Sequence, residues 1–134
     1  MSGISVTGID HCSVLITDVA AARRFYSEQL GLREIAAPKT FDFVALWYDL
    51  GRGQTLHLLL KDKPDTQSPR HFCLHVSDID AARQHLTQQG IAIDETVKIP
   101  GAERFFIRDP DENRIEVLHW QRPYNPQQDG HFRV

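Results

Sequence analysis

The feature that most constrains this chain is that it carries one pattern twice. Shifted by 60 residues, the segment from His11 to Asp18 (HCSVLITD) falls on the segment from His71 to Asp78 (HFCLHVSD). Each is a histidine, six residues and an aspartate. Ala21, Ala22 and Arg23 fall on Ala81, Ala82 and Arg83. A one-residue change of offset then brings Gly31 onto Gly90, Trp47 onto Phe106, His57 onto Glu116 and Leu59 onto Leu118. Gly31 to His57 and Gly90 to Glu116 both span 26 residues. Spacing and residue class stay in step too long for chance, so the fold is built from two copies of one supersecondary unit.

Each copy reads as βαβββ. Residues 8–17 and 70–77 are apolar, partly β-branched and bounded by polar residues, as strands are. Asp18 and Asp78 stand where helix N-caps belong, since a carboxylate there accepts otherwise unpaired backbone N–H groups. The helices run to about Leu30 and Gln89. Ala22, Phe25, Tyr26 and Leu30 make one apolar stripe; Ile79, Ala82 and Leu86 make the other. Gly31 and Gly90 end the helices. Strands are expected near 32–37, 41–49 and 54–60, with counterparts near 91–98, 103–108 and 113–120. The turns at 50–53 and 109–113 join the last two strands of each copy. The chain 1–134 is then one domain of class α+β, with a first unit at 8–60, a linker at 61–70, a second unit at 71–120 and a polar, mobile tail at 121–134.

A length of 134 residues with 41% hydrophobic content supports a real core. The net charge is -3, and no run of like charges suggests a nucleic acid or a membrane surface as partner. No apolar stretch approaches a membrane span, and the first ten residues lack the basic and apolar regions of a signal peptide. Two cysteines, Cys12 and Cys73, sit outside any CxxC pattern. A reducing, cytoplasmic setting follows as the expectation.

The repeat also superposes chemistry. His11 and His71 lie on the first strand of each copy, and His57 and Glu116 on the last. A lone strand histidine is ordinarily a packing or surface residue, but a sporadic one has no reason to recur at an equivalent position. Imidazoles with one carboxylate suit one divalent ion among zinc, nickel, cobalt, manganese and ferrous iron. His75 shares a face with His71 but answers to a leucine, Leu15, so it reads as pocket lining. His119 points away from Glu116, His85 lies on a helix and His131 in the tail. Strand alternation puts Phe41, Phe43, Ala45 and Trp47 on one face, matched by Arg104 and Phe106 in the second copy. This aromatic set with one arginine suits a substrate cavity. Arg104 would bind a substrate anion through its guanidinium fork, with Trp47, Phe106 and Phe43 as further substrate-binding residues. Val44, Leu46, Tyr48, Phe105 and Ile107 take the opposite, helix-packed face.

These segments resemble the vicinal oxygen chelate superfamily, which includes glyoxalase I, extradiol dioxygenases, fosfomycin-resistance thiol transferases and bleomycin-resistance (binding) proteins. The resemblance covers residues 8–120. It is carried by Asp10-His11 through Asp18, Phe25-Tyr26 through Gly31-Leu32, His71 through Asp78, and RDPDENRIE from Arg108 to Glu116. It implies half-barrel sheets with helices outside, and a metal held at His11, His57, His71 and Glu116. Bacterial glyoxalase I typically has glutamate where His57 stands, so Glu116 is left as the carboxylate base.

The resemblance implies a metal-dependent enzyme of lyase or isomerase type. The ion would bind two adjacent substrate oxygens, an enediolate would form, and Glu116 would move the proton. The substrate would be a thiol adduct of a ketoaldehyde or a related carbonyl compound, with glutathione as a cosubstrate. A ferrous dioxygenase using His11, His71 and Glu116 is the first alternative, although His57 would crowd its open positions. A thiol transferase is another, and a metal-free drug-binding protein belongs to a different class. A homodimer is expected, with the site at or near the subunit interface, because open sheets leave edges to cover.

Overall fold

A β-strand buries one face only if something apolar lies over it, and in each copy that cover is the helix following the first strand. The computed structural model describes residues 3–134. The chain divides into two compact units, Met1–Thr66 and Gln67–Val134.

In the first unit, β1 (His11–Ile16) leads to α1 (Val19–Arg23), then β2 (Arg33–Ile35), β3 (Ala45–Gly51) and β4 (Gln54–Leu60). The sheet order is β1-β4-β3-β2. β1 runs parallel to β4, and the other pairs are antiparallel. Asp18 caps α1 by accepting the Ala21 N–H at 3.0 Å. The helix then widens into a π-helical turn over Arg24–Gln29, with Leu30 N–H donating to the Phe25 carbonyl. The wider turn lets two consecutive residues, Phe25 and Tyr26, both face the sheet, at 3% and 0% exposure. They pack with Ile16, Ala22, Leu46, Tyr48, Leu56 and Leu58. The phenol of Tyr48 meets the Ser27 hydroxyl at 2.7 Å, so this core leaves that polar atom partnered.

The second unit repeats the plan with β5 (Phe72–His75), α2 (Ile79–Gln88), β6 (Ala102–Arg108) and β7 (Arg114–Trp120). The order is β5-β7-β6, with β5 parallel to β7. Asp78 caps α2 through the Ala81 N–H at 3.0 Å. Ile79 and Leu86 on the helix, with Phe105, Ile107, Ile115 and Val117 on the sheet, form its buried core. Gly31 and Gly90 follow the helices with φ of +78° and +76°, the left-handed conformation that glycine adopts without a Cβ penalty.

Four expectations are corrected. Residues 41–44 lie outside β3, and Val44 is half exposed instead of helix-packed. The expected strand at 91–98 is reduced to one bridge between Asp94 and Phe106, because the Val97 carbonyl is taken by the Arg104 guanidinium and not by a neighbouring strand. His71 stands one residue ahead of β5. The polar tail is ordered by α3 (Pro126–Asp129), capped by Asn125 and tied by Arg122 to Asp129 at 2.7 and 2.9 Å.

Both aspartate caps are testable. Asp18→Ala and Asp78→Ala should each lower unfolding free energy by about 1 kcal/mol, and the asparagine variants by less. Urea titration followed by circular dichroism measures this; unchanged midpoints would remove the caps from the folding account.

Candidate functional site

With one face of each sheet under its helix, alternation sends every second side chain to the other face. In the first unit that face carries His11 on β1, Trp47 on β3 and His57 on β4. Trp47 and His57 are direct cross-strand partners. Their rings stack at 3.7 Å with 12° between planes. The His11 ring stacks on the other side of His57 at 4.2 Å and 24°. His57 is thus the middle of a three-ring pile and only 8% exposed. Its Nε2 meets the Thr55 hydroxyl at 2.8 Å. Burial holds its pKa below the ordinary histidine range; His11 lowers it further and Asp10 works weakly the other way. His11 itself donates from Nδ1 to the Asp10 carboxylate at 2.7 Å, so that in a neutral ring Nε2 carries the lone pair. The indole Nε1–H of Trp47 is buried and finds no acceptor among the described residues.

In the second unit the equivalent face carries His71, Cys73, Phe106 and Glu116. Cys73 and Phe106 are the two cross-strand partners of Glu116. His71 Nε2 lies 3.0 Å from Glu116 Oε1. Its Nδ1 lies 2.8 Å from the Pro69 carbonyl, which can only accept, so Nδ1 carries the proton. In a neutral ring Nε2 then presents a lone pair to a carboxylate oxygen. That contact is satisfied only by a second proton or by a cation. Arg104 Nη1 stands 3.4 Å from Glu116 Oε2, and its Nε and Nη2 hold the Val97 carbonyl at 3.0 and 2.8 Å. Cys73 is exposed as a residue, yet burial around its sulfur, with the Glu116 charge second, pushes the thiol up to about 12.

The donor chemistry accommodates a divalent ion unevenly. Two ligands each about 2.1 Å from an ion and at right angles to it lie roughly 3.0 Å apart, the spacing of His71 Nε2 and Glu116 Oε1. The Asp10–His11 pair has the carboxylate–imidazole arrangement that orients metal-binding histidines. His57 differs. Stacked rings direct their lone pairs along nearly parallel planes, so His11 and His57 converge on one ion only after a ring turns. Among the described residues, no three His, Cys, Asp or Glu side chains form a ready cluster.

The structure therefore brings together His11 with His57, and His71 with Glu116 and Arg104. Phe43 lies outside the strand, stacked on Phe41 at 4.5 Å, and Phe41 meets the edge of Trp47 at 6.1 Å. Phe106 is 3% exposed, with His71 against it edge to face and the Arg114 guanidinium 3.5 Å from its centroid. Sequence reasoning passed over the partners: Asp10, Thr55 and the Pro69 carbonyl. Alternation alone placed Thr55 beside His57. Nothing in the residue pattern announced a backbone carbonyl.

Residues 8–117 match the Glyoxalase/Bleomycin resistance protein/Dioxygenase superfamily. A curated relative, Glyoxylase I 4 of Arabidopsis thaliana, is 25% identical over 127 residues, covering 87% of this chain and 72% of its own. Among solved structures, one assigned to the glyoxalase family from Bacillus anthracis is 30% identical, with a TM-score of 0.81, over 89% of this chain and 99% of that one. The antibiotic-binding protein TnmS3 from Streptomyces sp. CB03234 shares the fold at 22% identity and a TM-score of 0.70, over 88% and 99% of the two chains.

Two measurements test these surroundings. At pH 8, Cys73 should be alkylated by iodoacetamide at least about a hundredfold more slowly than an ordinary cysteine. Glu116→Gln should speed it; a peptide-like rate in the native protein would refute the assignment. His57, held below its ordinary value, contributes stability that is fully present above the unfolded pKa near 6.5 and declines as pH falls toward the folded one. In metal-free protein, the fall in Tm between pH 7.5 and 5.5 should therefore be smaller for His57→Gln, and an equal fall would sink the idea.

Proposed function

Because the chain belongs to the glyoxalase/bleomycin resistance protein/dioxygenase superfamily, we propose that it is a metal-dependent enzyme of glyoxalase type, with lyase or isomerase chemistry on a small substrate bearing two adjacent oxygens. The observation that carries this reading is the His71–Glu116 contact at 3.0 Å, with the imidazole Nδ1–H donated to the Pro69 carbonyl. It presents a lone pair and a carboxylate at the separation expected of two ligands on one ion. The donors are drawn from His11, His57, His71 and Glu116, with nickel, zinc, cobalt, manganese or ferrous iron as the ion. A divalent ion supplies Lewis acidity toward vicinal oxygens.

The protein's own groups do the rest. Glu116 takes the proton from the hydroxyl-bearing carbon beside the substrate carbonyl and returns it to the former carbonyl carbon, while the hydroxyl proton passes to the oxygen on that carbon. Arg104, 3.4 Å from Oε2, orients that carboxylate and meets a negatively charged substrate. Pro69 fixes the tautomer of His71. Trp47 offers its buried N–H to a substrate oxygen; an indole N–H left unmatched on burial costs about 1–3 kcal/mol, so a ligand acceptor there is favoured. Phe106 backs the site, and Phe43 contacts the substrate. A thiol adduct of a ketoaldehyde, formed with a cosubstrate such as glutathione, has the required oxygens. The working form is a homodimer, which would cover β1, β2, β5 and β6, each of which pairs on one side only within its own sheet.

A second reading, retention of a planar small molecule without chemistry, is favoured by the exposed Phe41–Phe43 stack, 37% and 54% accessible. Isomerisation of a methylglyoxal–glutathione hemithioacetal, assayed on nickel-, cobalt- and zinc-loaded protein, separates the two. Turnover should appear with at least one ion and fall by at least about a hundredfold in Glu116→Gln. Silence with all three ions, alongside tight ligand binding by metal-free protein, would transfer the protein to the second reading.

A further inference from the structure

The turn between β6 and β7 places two arginines, Arg108 and Arg114, directly opposite each other in register. Like charges in that relation repel and weaken a sheet. Both line one shallow, open depression of about 420 Å³ with Gln67, Ser68 and Pro69. Neither guanidinium is neutralised closely. Arg114 donates to the Pro69 carbonyl at 3.3 Å and lies 3.5 Å from the Phe106 ring centroid; among the described residues it meets no carboxylate. Arg108 donates to Gln67 Oε1 at 3.0 Å and to the Glu112 carbonyl at 3.1 Å. Glu112, its ion-pair partner, is 3.9 Å away and 63% exposed. Ser68 Oγ accepts the Arg70 N–H at 3.1 Å, which leaves its hydroxyl proton to donate.

We propose that Arg108 and Arg114, with the Ser68 hydroxyl, form a binding site for a carboxylate group of the protein's small-molecule ligand. Guanidinium forks match the planar, two-oxygen geometry of a carboxylate, and the Phe106 ring holds one fork in place. Arg114 lies two residues from Glu116 along β7, on the same face, or roughly 7 Å at strand rise. A carboxylate held there leaves room for a short carbon chain reaching toward Glu116. The reach toward Glu116 rests on the function proposed above; the anion site stands without it.

Isothermal titration of the full-length, metal-free chain with succinate, succinamide and inorganic phosphate tests the site. Succinate should bind saturably, and more weakly as chloride is added. Its Kd should rise at least tenfold in Arg108→Gln and in Arg114→Gln, and severalfold in Arg114→Lys, which keeps the charge but loses the fork. Arg33→Gln, on the other unit, should leave Kd unchanged. Should Arg114→Gln fail to fold, judged by its melting curve, Arg108→Gln carries the comparison. No saturable succinate binding, equal binding of succinamide, unaltered Kd in the variants, or phosphate binding without succinate binding would each overturn the proposal. No turnover is read, so its failure is distinct from failure of the enzymatic reading.

Discussion

The second unit depends on one buried carboxylate. Asp109, 3% exposed, accepts the backbone N–H groups of Asp111 and Asn113 on Oδ1 and the Asn113 amide on Oδ2, at 2.8 to 2.9 Å. Those bonds shape the turn between β6 and β7 and hold Glu112 in a left-handed conformation, φ +67°, that a residue with a Cβ adopts only at a cost. The turn sets the register of the hairpin. Register decides that Phe106 opposes Glu116 and that Arg108 opposes Arg114. A slip of β6 by one residue would send Phe106 and Arg108 to the helix-covered face, away from Glu116 and Arg114. The first unit meets the same demand differently, with Gly51, Arg52 and Gly53 all at positive φ and Asp49 accepting the Gly51 N–H.

The repeat is thus symmetric in its scaffold and unequal in its chemistry. Both units pair the first strand parallel to the last, which carries a first-strand histidine toward a last-strand donor. In the second unit the donor is a carboxylate with an arginine beside it. In the first it is an imidazole sealed between two rings. The stack disfavours charge on its donor, as the lowered pKa of His57 records. Burial and neighbours separate the tasks of groups that sequence alignment places at equivalent positions.

Much of this was legible in the residues. The two-fold pattern, the aspartate caps, the helix-ending glycines and the equivalent strand positions of His11 with His71 and of His57 with Glu116 all follow from periodicity and spacing. What escaped was governed by contacts remote in sequence. The strand expected at 91–98 failed because a side chain from β6 claimed its backbone acceptor. Phe41 and Phe43 were placed by alternation in a stretch that is not a strand. The tail has a short capped helix because Arg122 finds Asp129, a tertiary ion pair that polar composition conceals. The three-ring stack was also invisible, since alternation fixes the face of a side chain and not the tilt of its ring.

That stack gives the chain a built-in optical gauge. An indole 3.7 Å from an imidazole lies against a neutral ring while His57 is unprotonated, and against a cation once it takes a proton, an attraction of a different kind. The excited state of Trp47 senses that change directly. The other tryptophan, Trp120, lies near Tyr124 in the second unit. Any event that turns the His57 ring, whether a proton, an ion or a ligand sliding between the rings, is written into the emission of a residue the protein already has.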